Sequence, residues 1–201
     1  CTALVGKHHY LDRYGIGMDV TTDADTIKAY GFDHVCQVVD DGENTHNLDE
    51  YTKWLDSRGR LEEFRDAMRG KLPDGAANTG GHPYPPDETA DGFIGVNGIR
   101  FVEEYSEDAP FYLNLSFIGP HPPFWHPGDT RGRLADDMPV KGAEDTPALR
   151  ERRSKYLEKC ALIDSYVGRL LEALEQKGML DDTVVIFTSD HGDMLGNHGI
   201  W

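Results

Sequence analysis

The 201-residue chain has a formal net charge of −16, and this acidic balance excludes two classes of partner. Nucleic acids and anionic membranes attract stripes of basic residues, and no run of five or more basic residues occurs in this chain. No apolar run approaches the roughly 18 residues that a membrane span requires. We therefore expect no nucleic-acid partner and no membrane span. The sequence does not indicate a cellular compartment.

The first elements in the chain are a short strand and then a helix. Thr2–Val5 is an apolar run closed by Gly6, which predicts a strand that ends at the glycine. Asn47 is followed three positions later by Glu50, the spacing of a helix-capping pair. We therefore expect a helix to begin at Asn47, with an apolar face that is broken around Gly59.

The middle of the chain predicts a surface excursion followed by a second helix. Residues 70–88 are crowded with glycine and proline, which favour turns and irregular backbone over packed elements. We expect a second helix to follow them, from about Asp91 to Tyr105. We interpret residues 11–105 as a variable region of loops and helices.

The last third of the chain predicts a strand, a long helix and a second strand. Residues 111–118 are apolar and typical of a central strand. From Leu149 to Leu174 apolar residues recur every three or four positions, which predicts an amphipathic helix that ends near Gly178. Thr183–Phe187 is again continuously apolar and predicts a buried strand. These elements would form a strand-helix-strand unit over residues 111–191 with parallel strands.

The alternation of strands with helices favours an α/β fold with a mostly parallel central sheet flanked by helices. We predict that residues 1–201 belong to one domain, without internal repeats. Three widely spaced cysteines indicate neither a disulfide framework nor a cysteine metal knuckle. We assign a catalytic role to none of them.

Each predicted strand is followed by polar side chains that suit chemistry. Lys7 and His9 follow the first strand, His121 follows the second, and Asp190 and His191 follow the third. Because the carboxyl ends of parallel strands meet at one edge of a sheet, we expect these side chains to converge in a cleft. A carboxylate beside an imidazole suits a divalent cation, and the cleft as a whole suits a tetrahedral oxyanion.

The expected chemistry is ester hydrolysis at sulfur or phosphorus. A divalent cation polarises a sulfuryl or phosphoryl oxygen, a lysine neutralises the non-bridging oxygens, and a histidine protonates the leaving alkoxide. No nucleophile is identified in this chain. Asp40, Asp41 and Glu43 form an acidic turn that we interpret as a solvated loop.

Three segments of the chain closely resemble the type I sulfatases of the alkaline-phosphatase superfamily. They are Thr2–His9 with its Lys-x-His, Pro110–Phe124 with its Pro-His-x-Pro, and Val185–Gly199 with its Asp-His-Gly. The resemblance spans nearly the whole chain and is least diagnostic between about 11 and 105. It implies a metal-dependent sulfuric ester hydrolase of arylsulfatase type, acting on a small sulfate ester or a sulfated sugar.

The resemblance also implies roles for individual residues. Lys7, His9 and His121 match sulfate contacts of the family, and one of the histidines would assist departure of the leaving group. Asp190 and His191 match two ligands of the family's divalent cation, for which we expect Ca²⁺, with Mg²⁺ or Mn²⁺ as alternatives.

His198 is a further candidate for substrate binding, with an ordinary loop histidine as the alternative. The family's formylglycine nucleophile and its paired aspartate ligands would precede residue 1, and a second lysine would follow Trp201. The resemblance therefore implies that residues 1–201 form the central part of a sulfatase domain. We expect this part alone to be inactive without the missing N- and C-terminal parts.

Two alternatives stay open at this point. One is a phosphonate monoester or phosphodiester hydrolase of the same superfamily. The other is a non-catalytic binding module on the same scaffold.

Overall fold

The structure is a computed structural model that describes residues 1–11, 15–69, 84–124, 141–142 and 144–200. Most of the predicted glycine- and proline-rich excursion lies outside these ranges. The same holds for much of the polar stretch that precedes residue 149.

A parallel three-stranded sheet forms the centre of the molecule. Strand β1 (Thr2–Gly6) lies between β2 (His34–Gln37) and β3 (Tyr112–Ser116), and both pairings are parallel. The side chains of β1 from Ala3 to Val5 have no solvent exposure. A continuous apolar run is typical of a strand covered on both faces, so the prediction for this strand is confirmed.

Five helices accompany the sheet in the described part of the chain. Helix α4 (Ala90–Glu104) packs against β1, β3 and α5 (Pro147–Gln176). The approach of α4 to α5 depends on Gly95, because a β-carbon at this position would lie only 2.4 Å from the Tyr166 ring. The helices are α1 (Ala24–Ala29), α2 (Glu50–Asp56), α3 (Leu61–Arg69), α4 (Ala90–Glu104) and α5 (Pro147–Gln176).

The two long helices confirm the sequence predictions. Helix α4 begins where Thr89 accepts a hydrogen bond from the Gly92 N–H, and it ends at Glu104. Helix α5 begins after Thr146, whose hydroxyl accepts from the Leu149 N–H, and Gly178 follows its end with a φ of +68°. The α/β class with a mostly parallel sheet and flanking helices is therefore confirmed.

The predicted start of the helix near residue 47 is wrong. Asp49, and not Asn47, caps α2, because its carboxylate pairs with Thr52 in a reciprocal capping box. The Asn47 side chain accepts instead from the Met18 N–H at 3.0 Å. The broken apolar face around Gly59 separates α2 from α3.

The prediction of a strand over Thr183–Phe187 is also wrong for the described part of the chain. The segment is not paired with any strand of the sheet, and Val184, Ile186 and Phe187 are 86%, 81% and 78% exposed. Only the first strand and the helix of the expected strand-helix-strand unit form. An apolar run encodes a tendency to be buried, whereas a strand also needs a neighbour for its backbone, and none of the described residues supplies one.

Strand β2 and helix α1 were not predicted. Strand β2 has four residues and begins and ends with polar side chains, His34 and Gln37. A run this short and this polar at its ends does not show a clear period of two.

The structure has no helix, within its described ranges, that is long and apolar enough to cross a membrane.

The Asp49 side chain connects the start of α2 to the segment that follows β2. Its carboxylate accepts from the Thr52 N–H at 2.7 Å and from the Val39 N–H at 2.8 Å, and the residue has no solvent exposure. Burial raises the pKa of Asp49 to about 6, although its hydrogen bonds oppose this shift. One side chain therefore fixes both a helix start and the path of residues 38–41.

Replacement of Asp49 by alanine should lower the free energy of unfolding by about 3 kcal/mol, since it removes a helix cap and leaves the buried Val39 N–H without an acceptor. Urea denaturation followed by circular dichroism measures the change. Asp56→Ala, an exposed position at the end of the same helix, should change it by less than about 0.5 kcal/mol. Equal effects of the two substitutions would contradict the role given to Asp49.

The raised pKa of Asp49 also predicts a pH dependence. The folded protein binds this proton more tightly than the unfolded chain does, so the part of the stability that comes from protonation of Asp49 is greatest below about pH 4 and is lost as the pH rises through about 6. Relative to Asp49→Asn, the native protein should lose about 3 kcal/mol between these limits. Urea titrations of both proteins at several pH values test this. If the native protein instead gained stability relative to Asp49→Asn as the pH rises, the prediction would be contradicted.

Candidate active site

Lys7 lies directly beyond β1 at the carboxyl edge of the sheet. Its N–H donates to the Ser116 carbonyl at 2.9 Å, which extends the β1–β3 pairing by one residue. Its ammonium lies 2.8 Å from a carboxylate oxygen of Asp40, and both side chains are partly buried. The lysine predicted for anion binding is therefore held at the expected edge by an ion pair.

The turn after β2 directs two consecutive acids to different partners. The Val38 N–H donates to the Gly6 carbonyl at 3.1 Å, which keeps the chain alongside β1. Asp40 then pairs with Lys7, while Asp41 is buried and lies 3.2 Å from the Lys159 ammonium. The interpretation of this turn as a solvated loop is thus wrong for Asp41.

His121 lies in the loop that follows β3. The Lys159 ammonium donates to the His121 carbonyl at 3.2 Å, while the residue as a whole is exposed. The His121 Nδ1 lies 2.5 Å from the Pro122 carbonyl. Because a carbonyl only accepts, this contact requires a proton on Nδ1 and leaves Nε2 available to a ligand.

His9 lies near Lys7 and the acidic turn. Both residues act electrostatically on Glu43. Burial raises the pKa of Glu43 and Asp40 raises it further, whereas His46, Lys7 and His9 lower it. The His9 residue is itself exposed. The roles of Lys7 and His9 in binding stay predictions.

Asp190 and His191 are exposed neighbours in the loop after residue 187. The His191 N–H donates to Asp190 at 2.9 Å, and this bond holds the pKa of Asp190 below its usual value, with a smaller contribution from Lys7. The His191 Nε2 lies 3.6 Å from the other Asp190 oxygen. The charge of Lys7 thus acts only weakly on Asp190, and residues 183–187, which precede this loop, are not paired with the sheet.

The donor types of Asp190 and His191 fit part of a divalent-cation shell. A carboxylate oxygen and an imidazole nitrogen at adjacent positions are suitable ligands. The described residues contain no group of three or more His, Cys, Asp or Glu side chains that could hold a metal ion. The pair supplies two donors and does not close a shell.

His198 is linked to a different segment. Its N–H donates to the Lys141 carbonyl at 2.8 Å, and its ring lies against Gly142. A neighbouring cavity of about 260 Å³ lies between this loop and the start of α5, and neither Lys7 nor His121 lines it. The predicted substrate role of His198 therefore has no support from its described contacts. The cavity is lined by Glu144, Thr146, Ala148, Leu149, Arg152, Gly196 and Gly199.

Sequence reasoning missed two buried residues of the site, Asp91 and Lys159. Asp91 is in the first turn of α4, where an acid is also explained by the helix dipole. Lys159 is four residues before Ile163, on the apolar face of α5. A lysine at such a position is unusual, and this could have marked it as a functional residue.

The parallel sheet with its flanking helices has the fold of the alkaline-phosphatase superfamily. A phosphonate monoester hydrolase from Agrobacterium radiobacter superposes with a TM-score of 0.59 at 27% identity, over 81% of this chain and 39% of that one. A model of the sulfatase family matches residues 7–200, so the chain belongs to the sulfatase family.

Two curated relatives agree with this assignment. An arylsulfatase of Clostridium perfringens is 32% identical over 123 residues, which cover 50% of this chain and 26% of the relative. The multifunctional alkaline phosphatase superfamily protein PehA of Trinickia caryophylli is 28% identical over 195 residues, with 76% and 37% covered. The chain thus spans well under half the length of these relatives.

Removal of the Asp40 charge should strengthen anion binding, because Lys7 then keeps its full charge for a ligand. Asp40→Asn is expected to bind inorganic sulfate about threefold more tightly, the effect of a partly exposed ion pair. Isothermal titration calorimetry measures the affinity. Asp108→Asn makes the same charge change in the exposed segment before β3 and should have little effect. Unchanged or weaker binding by Asp40→Asn would contradict this account of Lys7.

Proposed function

We propose that this chain contributes the anion-binding part of an active site that hydrolyses sulfate esters. The observation that carries the proposal is the position of Lys7 at the carboxyl end of the central strand, on the edge to which the loop of His121 belongs. Asp190 and His191, which follow the third predicted apolar run, belong to the same site in this proposal. Membership of the sulfatase family supports the same chemistry.

Each residue has a distinct role in the proposal. Lys7 neutralises charge on the non-bridging oxygens of the sulfate. His9 and His121 contact the same group, and one of them protonates the departing alkoxide. The Pro122 carbonyl fixes the orientation of the His121 ring, so that Nε2 is the nitrogen available to the ester.

Asp190 and His191 would hold a divalent cation, with Ca²⁺ as the expected ion and Mg²⁺ or Mn²⁺ as alternatives. When bound, such an ion polarises the sulfuryl oxygen. The formylglycine nucleophile implied by the sequence resemblance is expected outside residues 1–201, so we expect these residues alone to show no turnover. The substrate would be a small sulfate ester or a sulfated sugar.

A second candidate is hydrolysis of phosphonate monoesters or phosphodiesters. The favouring observation is the likeness to the phosphonate monoester hydrolase of Agrobacterium radiobacter, which extends over most of this chain. Lysine and histidine contacts suit a phosphoryl group as well as a sulfuryl group, because both present tetrahedral oxyanions.

Comparative kinetics on the protein expressed from its whole gene, together with a formylglycine-generating enzyme, test the proposal. We expect a higher kcat/KM for an aryl sulfate than for an aryl phosphonate monoester or an aryl phosphodiester. Lys7→Ala and His121→Ala should each lower kcat/KM by about 10²-fold or more. His34→Ala, an exposed histidine at the start of β2, is the matched control and should change it by less than about twofold.

A preference for the phosphorus esters would favour the second candidate. Full activity of the Lys7 and His121 variants, or no turnover of any ester by the native protein, would refute the proposed site.

A further inference from the structure

Three charged side chains are buried together beneath the loop that carries His121. This buried charge triad consists of Asp41 from the turn after β2, Asp91 from α4 and Lys159 from α5. Their side chains are 6%, 4% and 3% exposed, and the Lys159 ammonium lies 3.2 Å from Asp41 and 3.7 Å from Asp91. Three elements that are distant in sequence thus meet at one ammonium group.

The triad binds the loop through its backbone. One oxygen of Asp91 accepts from the N–H groups of Ile118 and Gly119, at 2.8 and 2.9 Å. Lys159 donates to the carbonyl of His121 at 3.2 Å. The contacts therefore fix the chain on both sides of Pro120, from the end of β3 to the histidine itself.

Gly119 permits this close approach. A β-carbon at residue 119 would lie 2.7 Å from an Asp91 oxygen and 3.0 Å from the Lys159 side chain. The second distance is at the limit of what packed atoms tolerate, and the first would displace the Asp91 carboxylate. The loop backbone is thus seated directly on the triad.

Burying the three charged groups of the triad carries a desolvation penalty, so stability alone does not explain them. Removing three charges from water is expensive, and apolar side chains of similar volume often serve stability at least as well. The alternative use of such a group is to specify one geometry. Here the triad's contacts with groups outside itself include three hydrogen bonds to the backbone of a single loop.

We propose that Asp41, Asp91 and Lys159 are positioning residues that hold His121 in its catalytic orientation. The proposal rests on the proposed function, since it assumes that His121 acts on the ester. Asp41 extends the effect to the other side of the site, because its neighbour Asp40 pairs with Lys7. The turn after β2 therefore sets the Lys7 ammonium and the His121 loop in one framework.

Hydrogen exchange measured by mass spectrometry on the protein expressed from its whole gene tests the structural half of the proposal without requiring activity. Asp91→Ala should increase the exchange rates of the Ile118 and Gly119 amides by about tenfold or more, because both lose their acceptor. Asp91→Asn keeps an amide oxygen that can accept, so its increase should be smaller.

Asp87→Asn is the matched control for exchange. Asp87, just before α4, also connects to α5 through Arg169 and Tyr166, and neither of these described hydrogen bonds involves the His121 loop. Its substitution should leave the exchange of the Ile118 and Gly119 amides unchanged.

Steady-state kinetics on the same proteins test the catalytic half. Displacement of His121 should lower kcat by about 10²-fold in Asp91→Ala, with KM within about threefold of the native value. Asp91→Asn should recover part of the lost kcat, and Asp87→Asn should retain all of it.

Unchanged loop exchange in Asp91→Ala, or increased exchange with full kcat, would overturn the positioning role. If Asp91→Ala does not fold, the loop exchange and the kcat of Asp91→Asn are used in its place. An inactive native protein would refute the proposed function instead, and the exchange data would not be affected by that result.

Discussion

The parallel pairing of β1 with both β2 and β3 is the constraint on which the rest of the structure depends. It brings the ends of three strands to one edge, where Lys7 follows β1, the acidic turn follows β2 and the His121 loop follows β3. Parallel strands require long connections, and here these connections contain the helices that cover the sheet. The site is therefore a consequence of the sheet's topology more than of any local motif.

Paired charges then convert this shared edge into a defined geometry. Lys7 is held by Asp40, and Lys159 is held by Asp41 and Asp91 while it supports the His121 loop. The two arrangements meet in the consecutive acids of one turn, whose path is fixed by the hydrogen bond from Val39 to Asp49. Stability of the turn and geometry of the site are coupled in this way.

Much of the fold could be predicted from the sequence, because β1 is a continuous apolar run closed by a glycine and α5 shows an apolar period over enough residues to be distinguished from chance. Thr183–Phe187 shows the limit, since its apolar run does not specify a pairing partner. Lys7 and His121 could be placed at the site because each follows a strand. Asp91 and Lys159 could not, because they lie on separate helices and converge only through tertiary packing.

The most direct test of the central claim is a crystal structure of the protein expressed from its whole gene, grown with sulfate and Ca²⁺ and analysed by anomalous scattering. We expect a sulfate within hydrogen-bonding distance of the Lys7 ammonium and the His121 ring, beside a cation bound by Asp190 and His191. A sulfate bound elsewhere, with the His121 loop detached from Asp91 and Lys159, would contradict it.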